Sequence, residues 1–284
     1  MKNFFTRTLT SGAFVAVLLG CTFYSQISFS ILFFIITVLG LWEFYSLVEK
    51  GGSFPQKIMG TIYGSVLFIG NVLVYYAYKK SDFQSRHPGL LIQSLILFIF
   101  LFIFLIFIFE LFRKKENPFG NIGFTFLGII YVALPFSLLN YINVFSGTYS
   151  YTILFGVFFI LWSNDAGAYI VGSLLGKHKL FPRISPGKSW EGSIGGALIS
   201  YGIAFIISGW YNSITFIDWI VIATILIIIG TLGDLVESLL KRSLGVKDSG
   251  SLLPGHGGIL DRFDSLIMSV PFIFTYLYFI KYLI

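Results

Sequence analysis

Asp234, Glu237 and Lys241 fall at i, i+3 and i+7 near the end of an apolar stretch, with Ser238 and Arg242 beside them, so a helix would carry them as one polar stripe. Further along, Asp261 and Asp264 stand three apart across Arg262 and would share a face if that turn is helical. Three carboxylates from two neighbouring helices, Asp234, Asp261 and Asp264, could then converge. Hard oxygen donors of this kind suit Mg²⁺, which is usually held by one or two carboxylates together with substrate phosphates. Lys241, Arg242, Lys247 and Arg262 surround the same acids, and Lys188 stands in an earlier loop. Carboxylates for a metal and cations for phosphate oxygens describe phosphate-transfer chemistry. The competing reading is a set of structural ion pairs, which also account for charges buried in membrane helices. His256, between two glycines, is a phosphate donor, a proton carrier or a turn residue.

The triplet Gly187-Lys188-Ser189 invites comparison with a P-loop, but that motif needs a glycine five positions earlier, where Pro182 stands. The run from Ser185 to Gly192 reads instead as an anion-binding turn entering a helix, whose first amides and dipole favour phosphate. Asp165 lies in the apolar stretch before this loop.

These residues sit in a chain of 284 residues that is 56% hydrophobic, 19% aromatic and only 11% charged, against about 25% charged for soluble domains. Apolar runs approaching the ~20 residues of a spanning helix recur throughout, which predicts a single all-α polytopic membrane domain over residues 1–284. About nine spans are expected, at roughly 9–24, 28–48, 58–78, 89–112, 121–143, 150–175, 190–209, 214–240 and 265–283. Most of the 19 Lys and Arg residues fall in loops that an N-terminus in the cytoplasm would place inside, with the C-terminus outside. Positive-inside sorting therefore accounts for the net charge of +6 without a nucleic-acid partner. Glu43 and Glu110, near the cytoplasmic ends of the second and fourth spans, are expected to snorkel to the interface. One cysteine, Cys21, excludes an intramolecular disulfide. Lys2 and Arg7 followed by an apolar stretch ending at Cys21 match a cleaved signal, but equally the first span of a multi-span protein, which is the expectation here.

The two halves differ. Residues 1–149 carry sparse polar groups and suit a helical scaffold, whereas 150–284 hold two glycine- and proline-rich loops beside acid-bearing spans. Irregular backbone at a membrane edge requires protein or water to satisfy it, which predicts a polar cavity on the cytoplasmic side of the C-terminal half.

Residues 238–264 resemble the signature of the phosphatidate cytidylyltransferases, also called CDP-diacylglycerol synthases. The residues that carry the resemblance are Ser238, Leu240, Lys241, Arg242, Lys247, Asp248, Gly250, Leu253, Pro254, His256, Gly257, Gly258, Ile259, Asp261, Arg262, Phe263 and Asp264. Asp165 to Tyr169 and Ser185 to Gly196 look like further family blocks, although Gly187 and Ser189 stand where Lys and Thr are commoner. The resemblance implies transfer of the cytidylyl group of CTP to phosphatidate, giving CDP-diacylglycerol and pyrophosphate at the cell membrane. It also implies Mg²⁺, a second cation such as K⁺, and a homodimer. On this reading Asp234, Asp261 and Asp264 hold metal, and Lys188, Lys241, Arg242, Lys247 and Arg262 bind phosphates. Asp165, Ser185, Ser238 and His256 shape the pocket. Two rivals are a CTP-dependent polyprenol or phytol kinase, which would release CDP, and an ion-coupled transporter, which would use intramembrane acids as an ion path.

Overall fold

Long apolar runs broken by short polar segments leave the chain one economical way to satisfy its backbone in lipid, as helices. The computed structural model describes residues 2–79, 88–246, 248–250 and 257–282, with side chains for 10–74, 100–246, 248–250 and 257–281. The chain begins with α1 (Lys2–Tyr24), α2 (Gln26–Lys50), α3 (Lys57–Lys79) and α4 (Pro88–Arg113). One continuous rod follows, made of α5 (Pro118–Gly128), a π-helical turn (Ile129–Ala133) and α6 (Leu134–Ile142). Then come α7 (Thr152–Leu175), an antiparallel ribbon of β1 (Lys179–Phe181) and β2 (Ser185–Ser189), and α8 (Trp190–Trp210). A second interrupted rod joins α9 (Phe216–Ile225), a π turn (Leu226–Gly230) and α10 (Thr231–Ser243), and α11 is Leu260–Tyr282.

Among the described residues, seven helical stretches are long and apolar enough to cross a bilayer. The protein is therefore an all-α, multi-pass membrane protein carrying one small β ribbon. Seven candidates stand against about nine expected. The described apolar part of α1, Thr10–Tyr24, is short, and α4 has side chains described only from residue 100. The ribbon is a departure from the helical expectation. Pro182 and Pro186 lack the amide a helix needs, and the segment pairs instead with Lys179 opposite Ser189 and Phe181 opposite Ser185.

Local signals set the helix starts. Ser25 accepts from the amide of Ser28, whose hydroxyl accepts from the amide of Ser25, and Thr215 with Asp218 does the same for α9. Such caps each contribute about 1 kcal/mol. The first π turn has a cause in the sequence: Pro135 cannot donate to the carbonyl of Tyr131 and its ring crowds that oxygen. The Leu134 amide accordingly reaches back to Ile129.

Two contacts place the C-terminal elements. α7 and α8 pack backbone to backbone, since a Cβ on Gly192 would lie 2.7 Å from the Ala168 carbonyl oxygen and one on Gly196 2.6 Å from that of Asn164; small residues permit such approach between membrane helices. α11 sits centrally, against α2, α6, α9, α10 and the second π turn. Its Phe263 is buried among Phe33, Phe136 and Phe14, with ring centroids 6.0, 5.4 and 5.7 Å away. That aromatic cluster fixes the rotation of the first turns of α11, where the acids lie.

Candidate functional site

Residue 233 decides how closely α10 meets α11. A Cβ on Gly233 would stand 2.8 Å from the Asp264 carbonyl oxygen, so glycine lets the two helices touch one residue before Asp234. The expected polar stripe forms on α10: Asp234, Glu237, Ser238 and Lys241 share a side, with Ser238 Oγ 3.3 Å from Asp234 Oδ1 and Lys241 in an i, i+4 ion pair with Glu237.

The three aspartates divide between two clusters. Asp261 belongs to the first. Its Oδ1 takes the Lys241 ammonium at 2.6 Å, while its Oδ2 accepts from the amides of Ser249 at 3.1 Å and Gly258 at 2.8 Å, with Ser249 Oγ 2.9 Å away. Gly257 adopts φ +81°, and a Cβ there would meet Asp261 Oδ2 at 2.4 Å, so glycine serves both the left-handed backbone and the close approach. Lys241 thus bridges Asp261 and buried Glu237, holding the loop between α10 and α11 to α10.

Asp234 and Asp264 form the second cluster with Asp165 and Lys188. Lys188 Nζ, delivered by β2, is 2.6 Å from Asp234 Oδ2 and 3.5 Å from the Thr231 carbonyl oxygen. Asp264 is half-buried, accepts from the Ser265 amide at 2.6 Å, and feels the negative charges of Asp234, Glu237 and Asp165. Asp165, exposed on α7, in turn feels Lys188, Asp234 and Arg262. Negative charge is therefore concentrated around Asp264 with Lys188 and Arg262 at its margin, a distribution that a bound cation would balance.

Other expected residues lie elsewhere. Arg242 is exposed and donates to the Val246 carbonyl at 3.3 Å, closing the end of α10. Ser185 is half-buried at the start of β2. Lys247 and His256 lie outside the described residues. The turn expected to receive an anion is a β strand, and Ser189 Oγ caps α8 by accepting from the Gly192 amide at 3.2 Å. Glu191, in the first turn of α8, receives the amides of Lys177 and His178 and His178 Nδ1, pinning the base of the ribbon.

Glu43 and Glu110 do not snorkel; both are buried. Glu110 accepts from Gln56 Nε2, Arg113 Nη1 and Asn121 Nδ2 at 2.8, 2.8 and 2.9 Å. Glu43 accepts from Ser249 Oγ, from the Ile259 amide at 2.8 Å and from the Leu260 amide at 2.9 Å. In each case protein donors replace the water that snorkelling would have reached.

Among the described residues, no three His, Cys, Asp or Glu side chains stand together as a metal-holding group. Asp261, held by two amides, is turned to Lys241. The donor chemistry nonetheless fits a magnesium ion carried with substrate phosphates, which needs only one or two carboxylates, and the Asp264 and Asp234 pair supplies hard oxygens in a locally acidic setting.

The chain as a whole is similar to known proteins. Residues 5–280 match the model of the Cytidylyltransferase family. A phosphatidate cytidylyltransferase of Haemophilus influenzae is 33% identical over 291 residues, covering 96% of this chain and 98% of its own. Phosphatidate cytidylyltransferases of Bacillus subtilis and Staphylococcus saprophyticus are 44% and 42% identical over 162 and 170 residues, each covering 57% of this chain and 60% and 62% of their own. With the match running across nearly the whole chain and the acid-bearing helices inside it, the chain belongs to the cytidylyltransferase family.

Proposed function

We propose that the protein transfers the cytidylyl group of CTP to phosphatidate, forming CDP-diacylglycerol and pyrophosphate, at the face shared by Asp165, Lys188, Asp234 and Asp264. The observation that carries this reading is the ion pair of Lys188 with Asp234, whose charge Asp264 feels, inside a chain matched to the cytidylyltransferase model over residues 5–280.

A phosphate monoester oxygen of the lipid is already an anionic nucleophile. It attacks the α-phosphorus of CTP, a new phosphorus–oxygen bond forms, and the bond from the α-phosphorus to the oxygen bridging to the β-phosphorus breaks, that oxygen leaving with pyrophosphate. No protein nucleophile is needed, so the residues act by alignment and by charge. Lys188 exchanges its contact with Asp234 for triphosphate oxygens, and exposed Arg262 neutralises lipid phosphate. Mg²⁺, held by Asp234 and Asp264, would screen the repulsion between the two phosphates. Lys241 keeps Asp261 and the loop in register.

The substrate's two-sided character accounts for the architecture. Acyl chains stay in the bilayer while CTP arrives from water, so the site lies at the membrane boundary and opens sideways. Positive-inside sorting supports a cytoplasmic N-terminus and a cytoplasmic site, with residues 1–149 as scaffold and 150–284 as the catalytic part.

Purified protein in detergent, given phosphatidate, labelled CTP and Mg²⁺, is expected to yield a CDP-lipid and pyrophosphate in equal amounts and to stop when EDTA is added. Release of CDP with a phosphorylated alcohol, and no pyrophosphate, would replace this reading with a lipid kinase.

A further inference from the structure

Glu43 lies on α2, in the scaffold half, and plays no part in the chemistry just described. A carboxylate buried in a membrane helix is costly, and among the described residues no Lys or Arg pairs with it. Among the described residues, its donors come from the loop between α10 and α11 and from the first turn of α11. The Ile259 and Leu260 amides reach it at 2.8 and 2.9 Å, as a carboxylate at a helix N-terminus is expected to attract them. Ser249 Oγ also contacts it, and the same hydroxyl stands 2.9 Å from Asp261 Oδ2.

Capping alone does not explain this arrangement. A cap would need only the helix amides, whereas Glu43 holds the loop at two separate points, at Ser249 and at 259–260. Two glycines close over it. A Cβ on Gly250 would come within 2.7 Å of Glu43 Oε2, and one on Gly258 within 2.0 Å of Oε1. Either methyl group would displace the carboxylate. The close fit of both glycines thus involves a residue more than 200 positions earlier.

We infer that Glu43 is a positioning residue for the reaction: through Ser249 and the 259–260 amides it fixes Asp261, and with it Lys241 and the first turn of α11 that presents Asp264. This rests on the cytidylyl-transfer reading for its effect on turnover, though not for its effect on the loop. The scaffold half then contributes directly to the geometry of the site. A misplacement of about 1 Å at such a site costs on the order of 100-fold in rate.

The test compares Glu43→Ala, Glu43→Gln, Ser249→Ala and the Glu43→Ala/Ser249→Ala double variant in the full-length protein. For Glu43→Ala, kcat is expected to fall about 100-fold with KM for CTP changed less than about threefold. Glu43→Gln, which keeps an acceptor oxygen, is expected to recover about tenfold of that loss, and Ser249→Ala to lose about tenfold. The double variant is expected to match Glu43→Ala alone, because both changes cut one chain of contacts. Hydrogen exchange at residues 258–260 is expected to accelerate at least about tenfold in Glu43→Ala while amides around Phe33 keep their protection.

Additive losses, or unchanged exchange at 258–260, would overturn the inference. So would a fall in folded yield with kcat per folded molecule intact. Should Glu43→Ala fail to fold, Glu43→Gln and Ser249→Ala decide by the same two measurements. Wild-type protein that makes no CDP-lipid would defeat the functional reading, while the exchange measurement, which needs no turnover, would still judge the clasp.

Discussion

Two buried glutamates of the scaffold half, Glu110 facing that half and Glu43 facing the loop between α10 and α11, are satisfied in opposite ways. Around Glu110 the donors are side chains: Gln56, Asn121 and the Arg113 guanidinium, which also reaches the Phe54 carbonyl. Those groups belong to α4, to the start of α5 and to the segment before α3, so the contact locks scaffold to scaffold with a cation to balance the charge. Around Glu43 the donors are two backbone amides and a serine from the signature loop, with no balancing cation among the described residues. The first arrangement serves stability, since a charge-assisted hydrogen bond contributes about 1.5–3 kcal/mol. In the second, the charge is matched to a backbone shape, so the carboxylate specifies where a loop must lie. A chain of similar composition can thus use one residue type to hold a frame or to set a site.

That contrast can be broken most forcefully at Lys241. Lys241→Met leaves Glu237 and Asp261 facing each other without their cation and is expected to cost about 3–5 kcal/mol of stability, read as denaturant unfolding in detergent; a negligible loss would mean that the C-terminal acids are solvated and not comparable with Glu110. Asp264→Asn should separate function from stability. Turnover is expected to fall about 100- to 1,000-fold, while thermal stability holds or rises, because one of several crowded negative charges is gone. A parallel loss of both would place Asp264 with the structural acids. Glu110→Gln is expected to cost about 1–3 kcal/mol and to leave KM for CTP unchanged, measured on the surviving folded fraction; a changed KM would erase the distinction between the regions. Smallest, Ser189→Ala should cost about 1 kcal/mol as a lost cap and raise KM for CTP modestly by loosening the ribbon that carries Lys188.

Much of this was legible in the chain. The i, i+3, i+7 spacing of Asp234, Glu237 and Lys241 needs only helical periodicity, and the apolar runs announce their own helices. The pairing of Asp261 with Lys241 in place of Asp234 and Asp264 was not legible, because spacing shows that acids can meet but not which cation reaches each first. Glu43 was hidden for a different reason. Its partners are backbone amides, which carry no residue signature, and a lone glutamate near a helix end ordinarily meets water. The glycine at 258 was the available clue, being specified by the signature where φ is not positive. Lys188 was expected among the phosphate-binding residues, yet its position depends on a β ribbon that prolines and glycines suggest only as a break.

The π turn at Leu226–Gly230 works as an angular spacer. Each residue advances an α-helix by about 100°, and such turns behave as local insertions. Because the five-residue turn already absorbs one extra residue, a further isoleucine inserted there would swing the azimuth of Asp234, Glu237 and Lys241 by roughly that amount, carrying the acids from α11 toward the hydrocarbon while leaving hydropathy and helix content almost untouched. Catalytic competence in this chain is therefore sensitive to residue number in a stretch whose residue identity is nearly featureless.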